Sequence, residues 1–154
     1  MAVIKGLVAL PALGTLTQTL VDTNISADSR YGWQIEGFKG TYLSENATGV
    51  ETPEAFRIDL TLSTKATVIT TPDDEDEIAR VDWDLFYSAA GMASIGLAKQ
   101  AVVLEPRLTV QPILYVTGYC PVGLASVSNL YFEISYSVVK LTDVELLRLL
   151  IGGA

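Results

Sequence analysis

The chain has 154 residues, enough for one domain with a real core. Apolar residues make up 49% and charged residues 18%, against roughly 25% charged in an average soluble domain, which excludes disorder and leaves a surface expected to be covered in an assembly. There is no histidine and one cysteine, Cys120, which excludes histidine-based triads and metal sites, an internal disulfide and a CxxC redox site.

No stretch reaches the ~20 apolar residues of a membrane-spanning helix. The chain carries 10 basic and 18 acidic residues, net −8. Its cations, from Lys5 and Arg30 to Lys140 and Arg148, are spread along the sequence. Without clustered cations to displace counterions from phosphates, no strong direct contact with nucleic acid is expected.

Residues 1–14, MAVIKGLVALPALG, place one lysine before a short apolar run. That is the outline of a secretion signal, but Pro11 interrupts it. The preferred reading is an apolar N-terminal arm, with Val3, Ile4, Leu7, Val8 and Leu10 covering the chain's own core, a neighbouring subunit or a membrane surface. A strand is predicted at 15–21, where TLTQTLV is rich in β-branched residues.

From there the dominant period is two, the period of a strand. Tyr31, Trp33 and Ile35 alternate with Gly32, Gln34 and Glu36, and the phase slips at Gly37, which predicts a β-bulge. Residues 44–53 read as a loop. The sequon Asn46-Ala47-Thr48 within it matters only on a eukaryotic secretory route, for which the sequence gives no sign. In the next strand Phe56, Ile58, Leu60 and Leu62 take one face, and Arg57, Asp59, Thr61 and Ser63 the other.

The acidic run Asp73, Asp74, Glu75, Asp76 and Glu77 reads as a solvated turn; calcium is the alternative, but the run lacks the spacing and glycine of an EF-hand loop. Val81, Trp83, Leu85 and Tyr87 then alternate with Asp82, Asp84 and Phe86. Asp82 and Asp84 share a face about two strand rises apart, roughly 7 Å. Two carboxylates at that spacing suit acid–base work on a glycoside. Any wet strand face places acids this way, however, so no catalysis is expected.

Ser94, in GMASIG, is not in a nucleophile elbow, and no glycine cluster follows a strand as a phosphate loop. Strands are predicted at 99–104 and 108–119, the latter demoted to an edge or bulge by Pro112. Trp33 and Trp83 share faces with aliphatic residues and read as core. Tyr42, Tyr115, Tyr119 and Tyr131 remain for a subunit or sugar-binding surface.

The last strand carries Leu130, Phe132, Ile134, Tyr136 and Val138 on one face. A helix follows at 142–151. Thr142 and Glu145 form a capping box, Asp143 suits the helix dipole, and Gly152 is the expected stop. Leu146, Leu147, Leu149, Leu150 and Ile151 make it apolar. So short a helix must dock on the domain or on a neighbour.

Many strands without a βαβ alternation argue for an all-β, antiparallel eight-stranded jelly-roll sandwich over 15–154, closed by the short C-terminal helix. Two segments carry a family resemblance: DSRYGWQIEGFKGTY at 28–42 and SNLYFEISYSVVKLT at 128–142. The chain resembles the single jelly-roll capsid proteins of small icosahedral viruses and tailless bacteriophages. The resemblance implies a virion structural protein whose partners are copies of itself and other virion proteins, without cofactor or enzymatic activity. Many capsid proteins that grip a genome carry a basic arm, whereas this one is apolar with only Lys5. A shell over an inner membrane or over other proteins fits. The expected interface residues are Val3, Ile4, Leu7, Val8 and Leu10 with Leu146, Leu149, Leu150 and Ile151. The competing reading is a carbohydrate- or receptor-binding β-sandwich module, with exposed aromatics beside Asp82, Asp84 or the loop 44–53.

Overall fold

The computed structural model describes residues 1–11, 15–26, 29–43, 54–65, 75–87, 97–100, 107–121 and 127–152. Ser94, the sequon and the loop 44–53 lie outside them, as do Asp73 and Asp74. Nine strands and one helix occur among the described residues: β1 (Ala2–Leu10), β2 (Leu16–Asp22), β3 (Tyr31–Leu43), β4 (Glu54–Ser63), β5 (Glu77–Tyr87), β6 (Leu97–Gln100), β7 (Arg107–Thr109), β8 (Ile113–Tyr119), β9 (Ser128–Lys140) and α1 (Asp143–Gly152).

They form two antiparallel sheets. One has the order β1-β9-β3-β7 and the other β2-β8-β4-β5-β6. The pairings are nested: β1 with β9, β2 with β8, β3 with β7 and β4 with β5. The first and last strands are therefore neighbours, and the middle of the chain closes on itself. β6 extends the second sheet beyond β5.

Two features differ from the sequence reading. First, the expected arm is a strand. Residues 2–10 pair with β9 along their whole length, so their backbone groups are satisfied by a ladder. Second, the strand predicted at 108–119 is two strands in different sheets. Proline has no N–H to give a ladder, and at Pro112 the chain crosses from one sheet to the other. On β4 Arg57 is exposed, but Asp59, Thr61 and Ser63 on the same face are buried, as are Ile58, Leu60 and Leu62 on the opposite face. The bulge falls where the phase slip put it: the β3–β9 register shifts between Ile35 and Gly37, leaving Glu36 as the extra residue.

The core lies between the sheets. Ile35, Phe38, Leu130 and Ile134 of the first meet Ile58, Leu60, Leu62, Leu114 and Val116 of the second. Both tryptophans and Cys120 are buried in it. Glycines make room for the largest rings. Gly6 and Gly40 are the register partners of Phe132 on either side. A Cβ on Gly6 would run into the Phe132 ring, and one on Gly40 would lie 2.7 Å from Trp83 Cη2. Asn24 alone among the described non-glycine residues has a left-handed backbone (φ 56°), and its N–H donates to Asp22 Oδ1 at 2.8 Å. Asparagine tolerates that conformation better than most residues.

Candidate functional site

The N-terminal strand splits by the strand alternation. Val8 and Leu10 belong to the core, and Ile4 packs against it. The side chains of Val8 and Leu10 are therefore withdrawn from any neighbour, which corrects the expectation that they form an interface. Val3 and Leu7 point outward and are 44% and 41% exposed. Beside them Glu133 stands between two lysines, 3.2 Å from Lys5 Nζ and 3.9 Å from Lys39 Nζ. The three are register partners across β1, β9 and β3. As a strand at the edge of its sheet, β1 offers unpaired backbone groups to another chain, but Thr19 Oγ1 already donates to the Leu7 carbonyl at 2.9 Å.

The C-terminal helix forms because its start is capped. Thr142 N–H and Oγ1 both donate to the Glu145 carboxylate, at 2.8 and 2.7 Å, and Glu145 N–H donates back to Thr142 Oγ1 at 3.3 Å. Those bonds, the backbone one first, hold the Glu145 carboxyl below its ordinary range. Arg30 and Asp143 pair at 3.3 Å, and Leu141 N–H donates to the Arg30 carbonyl at 2.7 Å, so the first turn is tethered to the start of β3. Yet no residue from 142 to 151 is buried. Leu146 and Leu149 are half-covered; Val144, Leu147, Leu150 and Ile151 are exposed. Because no helix residue joins the core, Thr142→Ala is expected to fray α1 without moving the main unfolding transition. Loss of helical ellipticity at an unchanged Tm, read by circular dichroism, checks this; a large fall in Tm would show a helix docked on the sandwich.

A cavity of about 390 Å³ opens at the same end. The Trp33 and Tyr136 rings stack in its wall with centroids 3.7 Å apart. Ile4, Ile25 and Val138 add apolar surface. Thr23, Asn24, Ser29 and Tyr31 supply the polar groups. Among the described residues no charged side chain lines it, and none of α1 does. Its size falls within the range of ligand pockets.

The register adds an acid pair that the sequence reading did not name. Asp82 lies directly across the ladder from Asp59, while the side chain of Asp84 lies outside the described residues. Arg80 Nη1 is 3.7 Å from Asp59 Oδ1 and 3.9 Å from Asp82 Oδ1, while Arg80 Nη2 binds Glu77 Oε2 at 2.9 Å. Both Oδ1 atoms are buried, and among the described residues no N–H or O–H reaches them. A proton held by Asp59 would supply the missing donor. Burial first, then the hydrogen bond to Asp82 and the Asp82 charge, push Asp59 up to about 7 against the pull of Arg80 and Arg57. The cross-strand contact was hidden because spacing along one strand says nothing of register between two.

Nor is the described part of the acidic run a free turn. Asp76 accepts from Thr64 Oγ1 at 3.0 Å and pairs with Lys65 at 3.5 Å. Arg107 donates to the carbonyls of Glu75 and Glu77. This described part, from Glu75 to Glu77, is held by Lys65 and Arg107. Among the described residues no three His, Cys, Asp or Glu side chains gather as metal ligands, and no helix is long and apolar enough to cross a membrane.

Of the tyrosines, Tyr42 packs against the core with its ring tilted on Trp83, Tyr131 is 41% exposed, and Tyr115 and Tyr119 are half-buried. No protein-family model matches the chain, and no curated protein matches it.

Proposed function

We propose that this chain is a jelly-roll subunit of a virion shell, assembling with copies of itself and other virion proteins. The observation that carries the reading is the helix α1: its apolar side chains are folded, capped and left uncovered at one end of a two-sheet sandwich. A helix that leaves an apolar face open beside the polar Glu145 and Arg148 is one whose face is covered in the finished structure. The nested pairing supports the jelly-roll assignment, because an eight-stranded roll joins its first strand to its last and its second to its second-last. Here β6 is an addition at the edge.

The shell reading also fits the charges. Lys5 and Lys39, side by side on the outer face of the β1 sheet, both lean on Glu133, so the patch they form is no counter-surface for phosphates. Contact with protein or an enclosed membrane is the reading that follows. Assembly then proceeds by repetition of modest interfaces in a symmetric array, each of a standard size near ~1,600 Å² in total.

The mass of the purified protein tests this. Light scattering with negative-stain imaging is expected to show uniform megadalton particles. A stable monomer or trimer at high concentration overturns the shell assignment.

A further inference from the structure

The outer side of α1 has a defined geometry. Val144, Leu147 and Ile151 recur at the i, i+3, i+7 spacing of one helical stripe and are 62%, 58% and 78% exposed. Leu146 and Leu149, half-covered, lie on the opposite side. The stripe lies away from the half-covered side of the helix, whose first turn is held by the Arg30–Asp143 pair.

We propose that two copies of this chain exchange their C-terminal helices, the Val144–Leu147–Ile151 stripe of each seating in the end cavity of the other, against the Trp33–Tyr136 stack. The inference rests on the self-assembly reading and names the contact within it. Donor and acceptor stand at the same end of one molecule, because Ser29 and Tyr31 of the cavity wall flank the Arg30 that tethers the helix. A two-fold axis beside that end brings each helix to the other copy's cavity, as an isologous contact requires.

Volume and area agree with this. A large aliphatic side chain fills on the order of 150 Å³, so about 390 Å³ takes two or three of them. The described part of the lining is uncharged and accepts the stripe without stranding a charge. Burying a large apolar side chain removes roughly 60–120 Å² from water. Three give about 300 Å² per helix, hence about 600 Å² for one contact counting both partners, which is the size of a crystal contact. Two reciprocal contacts reach about 1,200 Å², where specific interfaces begin. One-way insertion is therefore too small to hold a pair, and exchange is large enough.

Cross-linking tests the arrangement in the full chain. Leu147→Cys and Val138→Cys both change exposed positions, and the native Cys120 is buried out of reach. With an added oxidant, the double variant is expected to form a covalent dimer, and each single variant to stay unlinked. Linkage by Leu147→Cys alone means that helix meets helix, and overturns the exchange. An internal disulfide in a monomer places the helix on its own cavity, and also overturns it, as does the absence of any link. In solution, Leu147→Ser is expected to weaken dimers roughly a hundredfold, losing one anchor at each of two contacts. An unchanged dimer affinity removes the stripe from the interface. Particles that form from Leu147→Ser as from the wild type sink the exchange and leave the shell reading standing. Cross-linked dimers that never build particles do the reverse.

Discussion

Replacing Asp59 with asparagine is expected to stabilise the protein above pH 7 and to change little near pH 4. Asp59 titrates near 3.8 as a free side chain and near 7 in the fold, raised first by burial and then by the hydrogen bond to Asp82 and the Asp82 charge. Between those values the native state keeps a proton that the unfolded state has released. Stability is then full below about pH 4, falls as the pH climbs toward 7, and levels off above it. Each pH unit across that window is worth about 1.4 kcal/mol, so the expected loss, with the pull of Arg80 and Arg57 already in the value near 7, is on the order of 4 kcal/mol. That is a large share of the 5–15 kcal/mol that holds a typical domain together. The charges facing Asp59 are Asp82 and Arg80 from β5 and Arg57 from its own strand, with Tyr119 as its register partner on β8. The carboxamide that the substitution introduces offers Asp82 an N–H in place of the proton on Asp59. Urea midpoints from pH 4 to 8 decide the matter. A wild type with a flat profile, or an Asp59→Asn variant that follows the wild type at every pH, would show that the pair holds no such proton.

How much of this is legible in the sequence depends on whether the two faces of a strand differ. In β4, β5 and β9 an apolar row alternates with a polar one, and their strand character is plain. In β1 it is not, because Val3, Leu7 and Ala9 on the outward side are as apolar as Ile4, Val8 and Leu10 on the inward side. The inward row is further disguised by Gly6, which is small because Phe132 fills its space. A strand apolar on both sides reads as an arm. The cap of α1 is legible because Thr142 and Glu145 interact over one turn. The Asp59–Asp82 contact is not, because it depends on the register between two strands. The interface residues divide the same way. The apolar content of the helix is evident, but which side chains stay open is not: Val144, Leu147, Leu150 and Ile151 are exposed, and of these the expected interface includes only Leu150 and Ile151. Leu146 and Leu149 are instead half-covered.

Gly40→Val is expected to cost about 3 kcal/mol, at the upper end of core overpacking, although valine is the better strand former. Gly40 sits on β3 where the Trp83 ring reaches over from the opposite sheet. An added Cβ would lie 2.7 Å from Trp83 Cη2 and 3.1 Å from Leu60 Cδ2. Neither can retreat easily: Trp83 is 5% exposed and Leu60 fully buried, in an interior packed as densely as a crystal. Shrinking the ring tests the cause. Trp83→Phe alone leaves a void and is expected to cost about 2 kcal/mol. In the double variant the valine methyls occupy the space that the indole vacates. The combined loss is then smaller than the sum of the single losses by at least ~1 kcal/mol, a coupling within the range found for residues in direct contact. Urea denaturation of the four proteins measures it. Additive losses would mean that Gly40 is needed for something other than the tip of Trp83, and the account of how the two sheets close on their aromatic centre would fail with it.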